Sequence, residues 1–258
     1  MRNVTFLILF IMIASNVRAE IVCKTVEYKE GDTVLEGVSV YDAAIQGKRP
    51  AVLVVHQWMG LGDYEKKRAE MLARLGYNVF AADIYGKGIR PHTPTEAAAQ
   101  AGKYKNDRAL LRARAQAALD LLARHELSDP QRMAAIGYCF GGTTVLELAR
   151  SGAELVGVVS FHGGLSTPNP SDAKKIRAKV LALHGADDPN VPPKEVAAFE
   201  EEMRQAGVDW QLIAYGGAVH SFTDWNAGHD NSRGAAYNER ADRRSWEAMK
   251  QFFAEVFQ

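Results

Sequence analysis

The sequence predicts an α/β fold: a mostly parallel twisted sheet with helices on both faces and an antiparallel hairpin at its N-terminal end. Three observations carry this. Short apolar runs alternate with helix-like segments along most of the 258 residues, as βαβ units do. Many of those runs are apolar throughout, as strands covered on both faces are. The composition is that of an ordinary globular protein, with 47% hydrophobic and 24% charged residues and 31 basic against 31 acidic side chains. So rich an apolar content excludes a disordered chain. Two cysteines exclude a disulfide scaffold. A balanced charge offers no electrostatic footprint for nucleic acid.

Taken in order, residues 1–19 read as a secretory signal peptide. Arg2 is the positive start, residues 4–14 are apolar, and Val17-Arg18-Ala19 places small residues where a signal peptidase reads. An apolar run of that length is too short for a bilayer span, which needs roughly 20 residues. Cleavage before Glu20 would leave one domain, 20–258, secreted or periplasmic and without a membrane contact. Losing Arg2 and Arg18 leaves two more acidic than basic side chains.

Residues 21–28 and 34–41 alternate in polarity and read as a hairpin turning at Gly31-Asp32. Strands are predicted at 51–56, 77–84, 133–137, 155–161, 179–184 and 210–215. Helices are predicted at 64–75, 107–125, 141–150, 193–206 and 235–257. Gly76 stops the first helix, and Pro193 opens the fourth. Residues 86–105 are polar, carry Pro91 and Pro94, and read as a lid or as a long loop with a short helix. Right-handed crossovers bring the carboxyl ends of the strands to one edge, where ligands bind in such sheets. His56, Asp83, Tyr85, Cys139, His162, Asp187, Asp188 and His220 all follow predicted strands.

The sharpest motif is Gly137-Tyr138-Cys139-Phe140-Gly141. Its form, G-x-C-x-G between a strand and a helix, is a nucleophile elbow with cysteine in place of serine. The reversal forces the nucleophile into a strained backbone, and side chains two residues either side would collide. The following helix offers its N-terminal dipole to a thiolate, and the Phe140 N–H is placed to donate to an oxyanion. A phosphate cradle is the bland alternative, but the spacing is not G-x-G-x-x-G and no P-loop lysine follows. No G-x-S-x-G competes. A nucleophile needs a base and an orienting acid. In the α/β-hydrolase fold the chain order is nucleophile, acid, histidine; Asp187 or Asp188, then His220, satisfies it.

With those residues in place, the chain resembles the dienelactone hydrolase family, an α/β-hydrolase branch with a Cys-His-Asp triad. The matching stretches are V-L-V-V-H-Q-W-M-G-L, A-A-D-I-Y-G, I-G-Y-C-F-G-G, H-G-A-D-D-P-N-V-P and H-S-F. The resemblance implies Cys139 as nucleophile, His220 as base and Asp188 as the acid. It also implies the Trp58 N–H as second oxyanion donor. Two positions depart from the family pattern. The enzymes that open dienelactone carry Glu where this chain has Gln57, and Arg four residues after the histidine, where it has Asp224. Glutamine accepts no proton at neutral pH, and a carboxylate repels a carboxylate substrate.

The expected reaction is therefore hydrolysis of a small ester or lactone other than dienelactone, through an acyl-thioester on Cys139. Gln57, His56, Tyr85, His162 and Trp225 are the expected substrate-pocket residues. The histidines form no metal-ligand spacing such as H-x-x-x-H, so neither metal nor other cofactor is expected. Two other readings stay open: a thiol-redox protein using Cys139 with Cys23 as resolving partner, and a non-catalytic binding protein on a hydrolase fold. A Cys23–Cys139 disulfide suits an oxidising compartment, but conflicts with a nucleophilic Cys139.

Overall fold

A computed structural model describes residues 19–258. The proposed signal sequence lies outside the described residues apart from Ala19. Eight strands form one sheet, in the spatial order β1-β2-β4-β3-β5-β6-β7-β8. The strands are β1 (Ile21–Glu30), β2 (Thr33–Asp42), β3 (Arg49–Val55), β4 (Asn78–Ala82), β5 (Ser128–Tyr138), β6 (Gly157–Phe161), β7 (Lys179–Gly185) and β8 (Trp210–Tyr215). β1 and β2 form the expected antiparallel hairpin, and β2 joins β4 antiparallel. From β4 to β8 every neighbour is parallel.

The helices are α1 (Asp63–Arg74), α2 (Pro94–Asn106), α3 (Arg108–Arg124), α4 (Phe140–Arg150), α5 (Pro193–Ala206) and α6 (Glu239–Val256). They cover both faces. One core layer joins strand residues Leu53, Ala135 and Val158 to Leu119 of α3 and Leu148 of α4. The other joins Val54, Ile136 and Val159 to Leu72 of α1 and Phe253 of α6. Alternate residues of one strand thus face opposite layers, and both faces being covered explains why β3, β4 and β6 carry no polar alternation.

Most element bounds lie within two residues of the sequence reading; β5 and α6 depart further, and residues 86–105 follow one of the two readings the sequence offered. β5 starts at Ser128 rather than 133, because Arg49 pairs with Ser128 before an irregularity carries the register to Met133. Residues 86–105 resolve into a loop followed by α2, with Thr93 capping the helix and Pro94 in its first turn. α6 starts at Glu239 rather than 235. Ala235 bridges to His220, and Asn238 caps the helix by accepting from the Ala241 N–H. Residues 235–237 thus serve the neighbouring loop, and the helix begins only after its Asn238 cap.

Candidate active site

The carboxyl ends of β3 to β8 converge on a cavity of about 780 Å³, lined among others by Gln57, Trp58, Lys105, Cys139, His220 and Asp224. Cys139 sits between β5 and α4 at φ 54°, ψ −112°, a conformation that L-residues rarely adopt. The glycines around it explain how the turn is possible. A Cβ on Gly137 would lie 2.0 Å from the Gly141 carbonyl oxygen, and one on Gly141 would lie 2.2 Å from that of Val55. These are backbone collisions that no rotamer relieves, so the G-x-C-x-G spacing is dictated by packing of β5, β3 and α4.

The Cys139 Sγ lies 3.0 Å from His220 Nε2, and His220 Nδ1 lies 2.8 Å from Asp188 Oδ2. Asp188 Oδ1 accepts from the Asn190 N–H, which holds the carboxylate in line. Asp187, the other candidate acid, accepts from the Gly217 N–H instead and so braces the loop leading to His220. Burial pushes the Cys139 thiol up. The charge of His220 and its hydrogen bond, the Lys105 charge and the Phe140 N–H outweigh it and leave the thiol below its ordinary value. Burial likewise pulls His220 down, but the facing sulfur and Asp188 raise it to about 10. Both directions favour a thiolate–imidazolium pair over a neutral thiol and imidazole.

Trp58 is the residue whose N–H the sequence suggests as a second oxyanion donor. Trp58 lines the cavity, and its N–H has no hydrogen-bond partner among the described residues. The peptide that carries it is held from behind. The Gln57 carbonyl accepts from His56 Nδ1 at 2.6 Å and from the Gly60 N–H at 3.1 Å. In a planar trans peptide the Trp58 N–H must then point the opposite way. Glu65 braces the same loop, its two carboxylate oxygens accepting from the Gln57 and Gly62 N–H groups.

Of the five residues expected to line a substrate pocket, one does. Gln57 faces the cavity and donates from Nε2 to Asp224 Oδ2 at 3.0 Å. The two departures from the family pattern therefore touch each other. The other four, expected there, lie outside the cavity wall. His56 is fully buried, and its Nε2 accepts from the Ile84 N–H, so both ring nitrogens are engaged by backbone. Burial lowers it to about 4, and it stays neutral. Tyr85 is buried and donates to the Trp58 carbonyl. His162 is buried behind Cys139, between the Cys139 N–H and Thr223. Trp225 leans outward over Tyr64 and the Arg68 guanidinium. The first three follow strand ends and Trp225 lies on the loop beyond β8, which is all that sequence position encodes; whether a side chain points into the cavity or away from it is set by packing.

Sequence reasoning missed Lys105, Glu65 and Thr223. Glu65 had a signal, since it stands three residues after the Gly62 that caps α1, a capping-box spacing. Thr223 had none. The expected separation of the cysteines is clear in the fold. Both are free, and Cys23 lies on edge strand β1, four strands from β5. At about 4.8 Å per strand that is roughly 19 Å, beyond the reach of a disulfide.

The dienelactone hydrolase family model matches residues 36–257. The chain belongs to the dienelactone hydrolase family. It is 30% identical over 212 residues to a Bradyrhizobium protein named as a 2-oxo-3-(5-oxofuran-2-ylidene)propanoate lactonase, covering 78% of this chain and 82% of that one. It is 26% identical over 228 residues to a Salmonella typhimurium protein named as a carboxymethylenebutenolidase, covering 82% and 79%. Among solved structures, a dienelactone hydrolase-like promiscuous phosphotriesterase from metagenomic libraries shares 43% identity at a TM-score of 0.89, covering 93% of this chain and all of that one. As a member of this family, the chain is an ester or lactone hydrolase with a small-molecule substrate.

Proposed function

We propose that the chain hydrolyses a small carboxylic ester or lactone with Cys139 as its nucleophile. The observation that carries this is the row Cys139–His220–Asp188, at 3.0 and 2.8 Å, at the wall of the cavity. The thiolate attacks the substrate carbonyl, and the Phe140 and Trp58 N–H groups receive the oxyanion. His220 gives its proton to the departing alkoxide, and Asp188 steadies the imidazole in the tautomer this requires. A water that His220 then deprotonates cleaves the acyl-thioester and returns the thiolate. Asp224 stands in the cavity wall as a carboxylate, which favours substrates that carry no anion there.

A second reading is favoured by the 43% identical phosphotriesterase. The same thiolate would attack the phosphorus of a neutral phosphotriester, expel an aryloxide or alkoxide, and leave a phosphoryl-thioester for water to cleave. We further propose that residues 1–19 are removed on export, so that a single domain, 20–258, works outside the cytoplasm; N-terminal sequencing of exported protein tests this.

A panel of nitrophenyl esters, lactones and neutral phosphotriesters, run alongside iodoacetamide labelling of Cys139, tests the function. Turnover lost in step with Cys139 labelling is the expected result. Turnover that survives complete labelling overturns the nucleophile. Labelling with no turnover of any class favours the binding-protein reading.

A further inference from the structure

Among the described residues, three that are not glycine have positive φ: Cys139 at 54°, His162 at 41° and Ser221 at 57°. Such strain is costly and persists where the surroundings over-determine it, often at functional sites. Cys139 is the proposed nucleophile, and Ser221 directly follows the proposed base. His162 is the third, and it is neither in the cavity wall nor in the proton-transfer row.

Its contacts show what holds it. The His162 main-chain N–H donates to Leu183 O at 2.8 Å, which anchors the strained residue to β7. The Cys139 N–H lies 3.2 Å from His162 Nδ1, and is shared with Phe161 O at 3.0 Å. A backbone N–H only donates, so Nδ1 is an acceptor and the proton of the neutral ring sits on Nε2. Nε2 then donates to Thr223 Oγ1 at 2.7 Å. Thr223 is three residues beyond His220 on the same loop. It is held in turn by Tyr64, whose hydroxyl is 2.6 Å from Thr223 Oγ1, and by Arg68, which donates to Thr223 O at 2.8 Å. Arg68 is itself buried and paired with Asp242. One neutral imidazole therefore ties the backbone of the nucleophile to the loop that carries its base.

We propose that His162 is a positioning residue that sets the distance and orientation between Cys139 and His220, acting through the Cys139 N–H and Thr223. The inference rests on the nucleophile reading above. It requires the ring to stay neutral, since a proton on Nδ1 would face the Cys139 N–H. The groups around the ring keep it so. Burial and the charges of His220 and Arg68 all push His162 well below its ordinary value, Tyr138 and Phe222 add only ring contacts, and among the described residues no carboxylate hydrogen-bonds to either nitrogen.

The test compares His162→Ala, His162→Asn and Thr223→Val with wild type on one activated ester, with Cys139→Ala in parallel. Asparagine keeps an acceptor near the Nδ1 position and tolerates positive φ. The alanine variant is expected to lose about tenfold or more in kcat with KM within about twofold, the split of a group that acts only on the transition state. Asparagine is expected to recover most of that loss, which a purely structural filler would not. Thr223→Val, which leaves the strained residue untouched, is expected to lower kcat about threefold, again without moving KM. Wild-type kcat in His162→Ala overturns the proposal, as does an asparagine variant as impaired as the alanine one. If His162→Ala does not fold, Thr223→Val decides: an unchanged kcat overturns, a selective fall in kcat supports. An active Cys139→Ala would instead overturn the nucleophile reading on which the proposal rests.

Discussion

His220 and His162 lie with ring centroids 5.4 Å apart, nearly perpendicular, and burial opposes a proton on both. Yet one is raised to about 10 and the other is pushed well below its ordinary value. The difference is in the partners. His220 meets a thiol on one nitrogen and a carboxylate on the other, both of which become more favourable when the ring is charged. His162 meets a backbone N–H and a hydroxyl, which leave it no place for a second proton. His56 repeats the second arrangement under the Trp58 peptide. Burial alone therefore says nothing about which histidine does proton chemistry; the charge of what it touches does.

The most severe way to break this contrast is to remove the thiol. Cys139→Ala should abolish ester turnover by about 1,000-fold or more, as read by steady-state kinetics, and His220 should titrate below about 10 by NMR, since the facing sulfur is the largest upward influence on it. Asp188→Asn removes the other partner. It should cost about 100-fold in kcat/KM, and the alkaline limb of its pH profile should fall below that of the wild type.

The buried side of the contrast should respond more mildly. His56→Leu deletes the donor that turns the Gln57–Trp58 peptide, and a loosened oxyanion donor should cost about tenfold in kcat with little change in KM. A kcat equal to wild type would show that Gly60 and Glu65 hold the loop unaided.

The subtlest test leaves the protein unaltered. As pH rises, kcat/KM should switch on through the lowered thiol value, below the ordinary thiol range. It should then fall through about 10 as His220 loses its proton. Iodoacetamide alkylation of Cys139 should show the same early onset. Alkylation that begins only in the ordinary thiol range would mean that the ion pair does not form.

Much of the site was legible in the chain. The elbow was readable because its constraint is local: Gly137 and Gly141 must lack side chains wherever a strand reverses into a helix this tightly. Asp188 and His220 were readable because each follows a strand within a few residues, in the order the fold demands. Even the hairpin and the bounds of α5 and β8 follow from turn residues, Pro193 and apolar runs. The pocket was not readable in this way. His56, Tyr85, His162 and Trp225 occupy the strand ends and loop that a ligand should meet, yet the first three point beneath the cavity and the fourth packs outward over Arg68.

The sequence by itself determined a parallel sheet, its carboxyl edge, and a cysteine, an acid and a histidine brought to that edge. These depend on short-range rules of periodicity, turn geometry and chain order. Only the tertiary structure decided that Gln57 and Asp224 pair across 167 residues, that α2 brings Lys105 to the cavity wall, and that His56 and His162 are neutral braces. Those outcomes depend on which way a side chain turns and on what meets it from elsewhere in the chain, and residues adjacent in space carry no mark of it in their spacing along the sequence.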